Sequence, residues 1–390
     1  MTGRRLILAA SLLSFLLAAA PLHAADVTID VILALTGPGA FLGQGEQQAL
    51  NLAEKQVNAT GGIAGRNLRF RFHDDQTNPQ VSVQLASEIV AAKPQVLLGP
   101  SLVATCRAVA PLVKDGPVQY CFSPGIYPEA GGMVFTASTS TINHATALAR
   151  YFRLKGLKRF ALMFSTDASG HDAETDWKRV LSMPENKDVA TAALVHFTPT
   201  DVSVSAQLAT VKAADPQVFI AWSTGTPIAT IFRGMVQAGL DVPVGTGDGN
   251  MTRAQMSQYA GFLPKGLYHG SAEWPVRDAS ILPSAVAAKN KDFYGAFDAA
   301  GLSTDIASEL AWEPAMIVVH ALRTLGPDAT SEQIRAFIAH LKDYAGVDGI
   351  YDFERVPQRG LDVSDTIVTR WDAEAKGWRA MSRLTGIPLP

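Results

Sequence analysis

Cysteine is nearly absent from this chain: Cys106 and Cys121 are the whole thiol inventory of 390 residues. Neither sits in a Cys-x-x-Cys or beside a Cys/His cluster, which leaves thiol redox catalysis and a structural zinc site without support. The pair reads in two ways. One is a disulfide closing a loop of about 15 residues, stabilising by ~3 kcal/mol in an oxidising compartment; the other is two separate buried thiols acting as small hydrophobes. Also missing are a Gly-x-Ser-x-Gly elbow, a His-Glu-x-x-His pair and a phosphate-binding Walker loop, and the eight histidines are scattered without metal-ligand spacing. A Ser/His/Asp set can be assembled from STDASGHD (165–172), but composition alone makes such sets abundant, so no enzyme and no cofactor is expected. Charge of one sign is lacking too, and a net charge of −3 gives nucleic acid no reason to bind.

Long apolar runs are confined to the start. Arg4 and Arg5 precede the run Leu6 to Ala20, then PLHAA, then mixed composition. That layout predicts a secretory signal peptide over 1–24, too short for a comfortable transmembrane span. Cleavage is expected after Ala24 or Ala25, with Leu22 or His23 where a strict Ala-x-Ala would place alanine. A twin-arginine signal is the alternative, poorly matched by the residues around Arg4-Arg5. No Cys lies near the cleavage region, which disfavours a lipid anchor, and the expected compartment is the periplasm. Without Arg4 and Arg5, 31 of the 33 Lys and Arg remain against 36 Asp and Glu, a net charge of −5.

The remainder, in a chain 47 % hydrophobic and 18 % charged, is ordinary globular material long enough for two domains. Val27 to Leu35 is β-rich, and Ala49, Leu52, Ala53 and Val57 then fall at helical spacing. Leu68, Phe70 and Phe72 alternate with Arg69, Arg71 and His73, as in a strand with one wet face. Helical spacing returns at Val81, Leu85 and Ile89, and strands are predicted at Val96–Leu98, Val118–Phe122, Phe160–Phe164, Val189–Val195 and Val218–Trp222, with a helix around Asp176–Leu181. Strands joined by helices imply α/β architecture, mainly parallel sheets flanked by helices.

Such sheets place ligands outside the carboxyl ends of their strands. The polar loops found there are TGPGAFLGQG (36–45), GPSLVAT (99–105), SPGIYP (123–128), STDASGHD (165–172), WSTGTP (222–227) and GTGDGN (245–250). The last suggests a dinucleotide loop only superficially, since it lacks the Gly-x-Gly-x-x-Gly spacing. GPSLVAT ends a buried strand in small polar residues that lead into a helix. Unpaired first-turn amides and the positive end of the helix dipole make an anion site, although Ser and Thr near a helix start are also ordinary caps.

The blocks TGPGAFLGQGEQQALNLAEKQVNATGGIAGR, HDDQTNPQ, LLGPSLVAT and CFSPG, in this order, resemble the substrate-binding proteins of branched-chain amino acid type ABC importers, members of the type I periplasmic binding proteins. The resemblance covers essentially the whole chain after the leader. It implies two lobes, 26–138 with 273–350 and 139–272 with 351–390, joined by crossovers near Thr136–Thr141, Ala272–Pro275 and Asp352–Pro357 and closing on a small solute. The implied partners are a small carboxylate solute and the membrane permease, with the binding protein a monomer.

Carried over residue by residue, the resemblance implies that the loop with Ser101, Val103, Ala104 and Thr105 holds the solute's carboxylate, leaving open whether Ser101 or Thr105 gives the hydroxyl. It gives Ser123, Gly125, Ile126 and Tyr127 further contacts to that carboxylate, puts Phe41 and Leu42 over the ligand, and aligns Asp248 with an acid that pairs with the α-ammonium of amino acid ligands. Two segments depart from the family. Ser169-Gly170-His171 stands where Tyr-Gly is frequent, and WSTGTP, with Trp222 and Thr224, replaces an aromatic-rich stretch. Trp222 and Trp312 would suit a flat apolar wall. An aromatic acid or amide is therefore the alternative solute, and a periplasmic sensor the alternative role.

Overall fold

The computed structural model describes residues 25–390; the predicted leader over 1–24 lies outside the described residues. Five strands, β1 (Val27–Leu33), β2 (Leu68–Asp74), β3 (Val96–Leu98), β4 (Val118–Cys121) and β5 (Val134–Thr136), form a first sheet in the order β2-β1-β3-β4-β5, every neighbour parallel. A second sheet starts with β6 (Arg159–Ser165), β7 (Ala190–Phe197), β8 (Val218–Trp222), β9 (Val244–Thr246) and β10 (Leu267–Ser271). After a small hairpin of β11 (Tyr344–Ala345) and β12 (Ile350–Tyr351), β13 (Ile367–Asp372) and β14 (Gly377–Ala380) extend it antiparallel, in the order β14-β13-β10-β9-β8-β6-β7. The second sheet is thus mixed at one edge.

The helices follow from the same patterns. In the first lobe, α1 (Ala40–Ala59) buries Leu42, Glu46, Ala49, Leu50, Ala53 and Val57 at helical spacing, and α2 (Pro79–Ala91) starts at an Asn78 cap with proline at its first position. The short α3 (Val103–Val109) follows β3. The second lobe carries α4 (Thr141–Leu154), α5 (Ala168–Leu181), α6 (Ser205–Ala213), α7 (Ile228–Ala238) and α8 (Arg253–Gln258). The chain then returns, and α9 (Ser284–Ala299), α10 (Ile306–Leu325) and α11 (Ser331–Ala339) join the core of the first sheet. α10 is buried nearly all round and packs along α1, so apolar residues occur on every face, with the carboxyls of Glu309 and Glu313 buried among them. β8 (VFIAW) is likewise buried at all five positions, as a central strand covered on both faces must be.

Cys106 of α3 and Cys121 of β4 are joined by a disulfide with a Cα–Cα distance of 5.9 Å, packed with Val103 and Ile126. A loop of this length is stabilised by ~3 kcal/mol in the chain-entropy picture. The bridge holds the start of α3, which lines the cleft, to the sheet that carries it. Among the described residues, no helix is long and apolar enough to cross a membrane.

Candidate functional site

Between the lobes lies a cavity of about 110 Å³, walled by loops at the carboxyl ends of both sheets. The first lobe contributes Leu42, the run Ser101–Ala104, Ser123, Gly125 and Leu310; the second contributes Asp167–Ser169, Asp172, Trp222, Thr224 and Gly247–Gly249.

The β3–α3 loop turns at Gly99, whose φ of +81° and close approach to the Ile32 carbonyl (a Cβ would sit 2.2 Å from that oxygen) exclude any side chain. The turn delivers Ser101 to the cavity with its hydroxyl already engaged: Oγ accepts the Ala34 N–H (3.1 Å) and bonds the buried carboxyl of Glu46. Ser101 and Thr105 sit in different surroundings. Ser101 lines the cavity, whereas Thr105 Oγ1 accepts the Leu102 N–H (3.3 Å) and donates to the Leu102 carbonyl (3.1 Å), capping α3 from a buried position. The amides of Val103 and Ala104 belong to a first helical turn, which has no intrahelical acceptors to offer them.

Across the cavity, Trp222 ends β8 and lies against Gly247, where a Cβ would come within 2.8 Å of the indole. Asp248 follows, in a single turn after β9, with its side chain almost fully buried. Its Oδ2 has no hydrogen-bond partner among the described residues; His144 Nε2 stands 3.6 Å away, too far for a hydrogen bond, and instead meets Thr139 Oγ1 at 2.8 Å. Burial pushes the His144 imidazole down to about 3, helped by Arg359 and His269, so it is neutral and does not satisfy Asp248. Burial pushes Asp248 up to about 7. Asp248 thus lines the cavity as a buried carboxyl with one oxygen unpartnered among the described residues.

Other sequence-predicted residues lie elsewhere. Phe41 packs edge-on to Tyr259 at 6.1 Å, bridging the lobes beside the cavity. Tyr127 also bridges: its hydroxyl donates to Asp176 Oδ2 (2.6 Å) and accepts the Ile142 N–H (3.3 Å), while its ring is half exposed. Ile126 is buried beside the disulfide. His171 is exposed on α5, since the two-residue step from Ser169 turns it to the opposite side of the helix; Asp172, three residues on from Ser169, faces the cavity. Ser169 Oγ meets Thr224 Oγ1 at 2.9 Å. Trp312 offers no wall to the solute, because it is buried in the first lobe's core against Phe293 (5.5 Å) and Phe297 (5.7 Å).

Sequence reasoning missed Glu46, Leu310 and Arg359. Arg359, buried where the chain recrosses between lobes, donates to four carbonyls: Ala137 (3.2 Å) and Ser138 (3.0 Å) through one nitrogen, Pro124 (3.0 Å) and Ile126 (2.6 Å) through the other. A Glu among polar neighbours at 46 and an Arg in the segment VPQRGLD carry no local signal of such partners.

Two α/β lobes joined by repeated crossings, with a solute-sized cavity walled by the strand-end loops of both, define a clamshell solute-binding protein. A family model described as periplasmic binding protein matches residues 26–376, and the chain belongs to that family, whose members are solute binders and not enzymes. It is 27 % identical over 234 residues to Leu/Ile/Val-binding protein homolog 3 of Brucella melitensis, covering 58 % of this chain and 62 % of that protein. It is 25 % identical over 286 residues to the leucine-, isoleucine-, valine-, threonine- and alanine-binding protein of Pseudomonas aeruginosa, covering 70 % and 74 %. The fold is also that of the branched-chain amino acid transporter substrate-binding protein LivJ of Streptococcus pneumoniae, solved in complex with isoleucine (TM-score 0.74, 17 % identity, 89 % of this chain and 95 % of that one). These likenesses make the fold a two-lobed type I periplasmic binding fold.

Proposed function

We propose that this protein is the extracytoplasmic binding component of an ABC importer, exported with cleavage of its leader, that captures a small amino acid and delivers it to a membrane permease. The observation that carries the reading is that Asp248, whose Oδ2 has no partner among the described residues, lines the cavity. A buried carboxylate without a partner costs several kcal/mol, and an α-ammonium would complete it. On the opposite side, Ser101 and the amides of Val103 and Ala104 suit the carboxylate of the same solute. Leu42, Leu102, Val103, Trp222 and Leu310 surround the space left for its side chain, which favours an apolar one. The names of the relatives point the same way. Binding both ends of one zwitterion from different lobes gives the solute a differential affinity for the closed state, which is what drives closure.

The test is a thermal-shift panel of aliphatic and aromatic amino acids and amine-free benzoate- and cinnamate-like acids, run on wild type and Asp248→Asn. At 100 times its dissociation constant a ligand stabilises the protein by about 2.7 kcal/mol. Amino acids are expected to raise the midpoint of wild type and to lose at least about 30-fold in affinity for Asp248→Asn, since removing one member of a buried charge pair costs ~2–5 kcal/mol. A response to amine-free acids alone, unchanged in Asp248→Asn, would overturn the amino acid reading in favour of an aromatic acid lying on Trp222.

A further inference from the structure

We propose that Glu46, which lies behind Ser101 and does not line the cavity, decides whether Ser101 can donate a hydrogen bond to the solute's carboxylate. It is a positioning residue acting through Ser101. The inference rests on the cleft being a carboxylate site and adds the residue that keeps it in the right protonation state.

Glu46 lies on the buried face of α1 with no exposed surface. One oxygen, Oε2, bonds Ser101 Oγ; the other, Oε1, has no partner among the described residues. A serine hydroxyl has one proton and two lone pairs. Ala34 N–H occupies one lone pair of Ser101. If Glu46 is a carboxylate, it must take the Ser101 proton, and what remains to face the cavity is a lone pair, which repels a solute carboxylate. If Glu46 is a carboxylic acid, it donates to the second lone pair, and the Ser101 proton is free to point into the cleft. The same two side chains in the same positions thus make either an acceptor or a donor.

The surroundings choose the acid. The charged groups facing Glu46 from neighbouring elements are Asp75, after β2, and Asp305, at the cap of α10. Both are anionic when ionised, and both are already engaged. Asp75 accepts the Thr77 N–H (2.8 Å) and the Ser82 hydroxyl (2.9 Å), and Asp305 accepts the Ser308 N–H (3.3 Å) and the Arg253 N–H (3.1 Å). With no cation facing it, a fully buried carboxyl keeps its proton. Burial first, then Asp75 and Asp305, raise Glu46 to about 8 against the opposing bond from Ser101. The donor form of Ser101 is present at neutral pH and is lost as pH rises through that value.

The experiment is calorimetric titration of L-leucine into wild type and Glu46→Gln at pH 7, 8 and 9. Wild-type affinity is expected to fall by about tenfold between pH 7 and pH 9, the limit for binding that requires one proton held with a pKa near 8. In Glu46→Gln the side-chain amide donates to Ser101 at every pH, so affinity at pH 7 is retained and the fall disappears. Asp248 and the solute's own ammonium titrate alike in both proteins, so the ratio of the two affinities at each pH isolates Glu46. Ser101→Ala, which leaves the cavity without this donor, is expected to bind more weakly at pH 7 and to show no comparable fall, and it serves if Glu46→Gln does not fold. An equal fall in wild type and Glu46→Gln, or a flat wild-type profile, overturns the role of Glu46 while leaving the carboxylate cleft standing. If L-leucine and the panel's other carboxylates bind at no pH, the cleft reading itself falls and this proposal with it.

Discussion

In the cleft, Asp248 lines the cavity and keeps one carboxyl oxygen without a partner among the described residues. In the adjoining hinge, Glu309 and Glu313 of α10, Asp348 of the β11–β12 turn, Glu273 after β10 and Asp365 before β13 are buried among one another. The regions meet, since Asp348 is near enough to help raise Asp248. Burial acts on both in the same direction, pushing Asp248 up to about 7, Asp365 to about 6, and Glu273 and Glu313 to about 8. What differs is access. Asp248 lines the solute-sized cavity, whereas the hinge carboxyls lie outside it and rely on fixed donors, as Glu313 does on the Val347 N–H (2.7 Å) and Asp348 on the Tyr351 hydroxyl (3.2 Å). On the proposed reading, buried acids serve recognition in one place and make the joint sensitive to pH in the other.

The largest effect is expected at Arg359, the buried guanidinium where the chain recrosses between the lobes. Arg359→Ala strands four carbonyls and opens a void, and each charge-assisted hydrogen bond lost costs ~1.5–3 kcal/mol. Urea denaturation is expected to show a loss of at least ~4 kcal/mol, and Arg359→Lys is not expected to restore it, because a single ammonium cannot span the fork. A loss under ~1 kcal/mol would mean that the crossing segments hold themselves in place.

The next effect separates hinge from cleft by pH. Groups whose folded values are raised contribute stability that is present below their unfolded values, near 4, and lost as pH climbs through the folded ones, here about 6 to 8. His144 and His269, pushed down to about 3 by burial, act oppositely, but only below about 6.5, where the unfolded imidazoles take up protons. The window from pH 6.5 to 8 thus belongs to the carboxyls, and stability of the ligand-free protein should fall across it. Each proton retained only by the folded state gives a slope of ~1.4 kcal/mol per pH unit. Glu309, raised by burial and by its neighbour Asp348, provides the control: Glu309→Gln should flatten the profile by about one proton's worth. A melting temperature constant between pH 6.5 and 8 in wild type would show that the hinge acids find partners or solvent.

How far the molecule could be read in advance follows the range of its interactions. β2 announces itself because Leu68, Phe70 and Phe72 alternate with charged residues, and α1 because its buried residues repeat at helical spacing. Both are local patterns. The antiparallel edge of the second sheet is not legible, because β13 finds β10 only after the chain has left that lobe and returned. The site divides likewise. Ser101, Trp222 and Asp248 stand at strand ends, where a parallel sheet is known to place ligands. The pairing of Ser101 with Glu46 spans 55 residues and the reach of Arg359 to Ala137 spans 222, and neither leaves a trace in its own neighbourhood. Tyr127 and Phe41 show another limit: their loops border the cleft, and helix and turn geometry, invisible in the motifs, brings these rings against the opposing lobe.

The smallest effect is expected at the rim, where two polar contacts cross between lobes in unequal surroundings. Arg107 of α3 pairs with Asp172 of α5 at 2.8 Å, with side-chain exposures of 47 % and 22 %. A pair that wet is worth ~0.5 kcal/mol or less, is screened by salt, and holds two long side chains at an entropic cost. Tyr127, by contrast, donates to Asp176, which is nearly buried and raised chiefly by that burial. Removing that hydroxyl leaves a desolvated carboxyl short of a donor, at ~1–3 kcal/mol. Arg107→Ala should therefore weaken L-leucine binding by less than about threefold, with the difference gone at high salt, whereas Tyr127→Phe should weaken it by about fivefold or more at any salt. If Arg107→Ala proves the more damaging, closure is governed by long-range attraction between the lobes and not by the contacts completed once they meet.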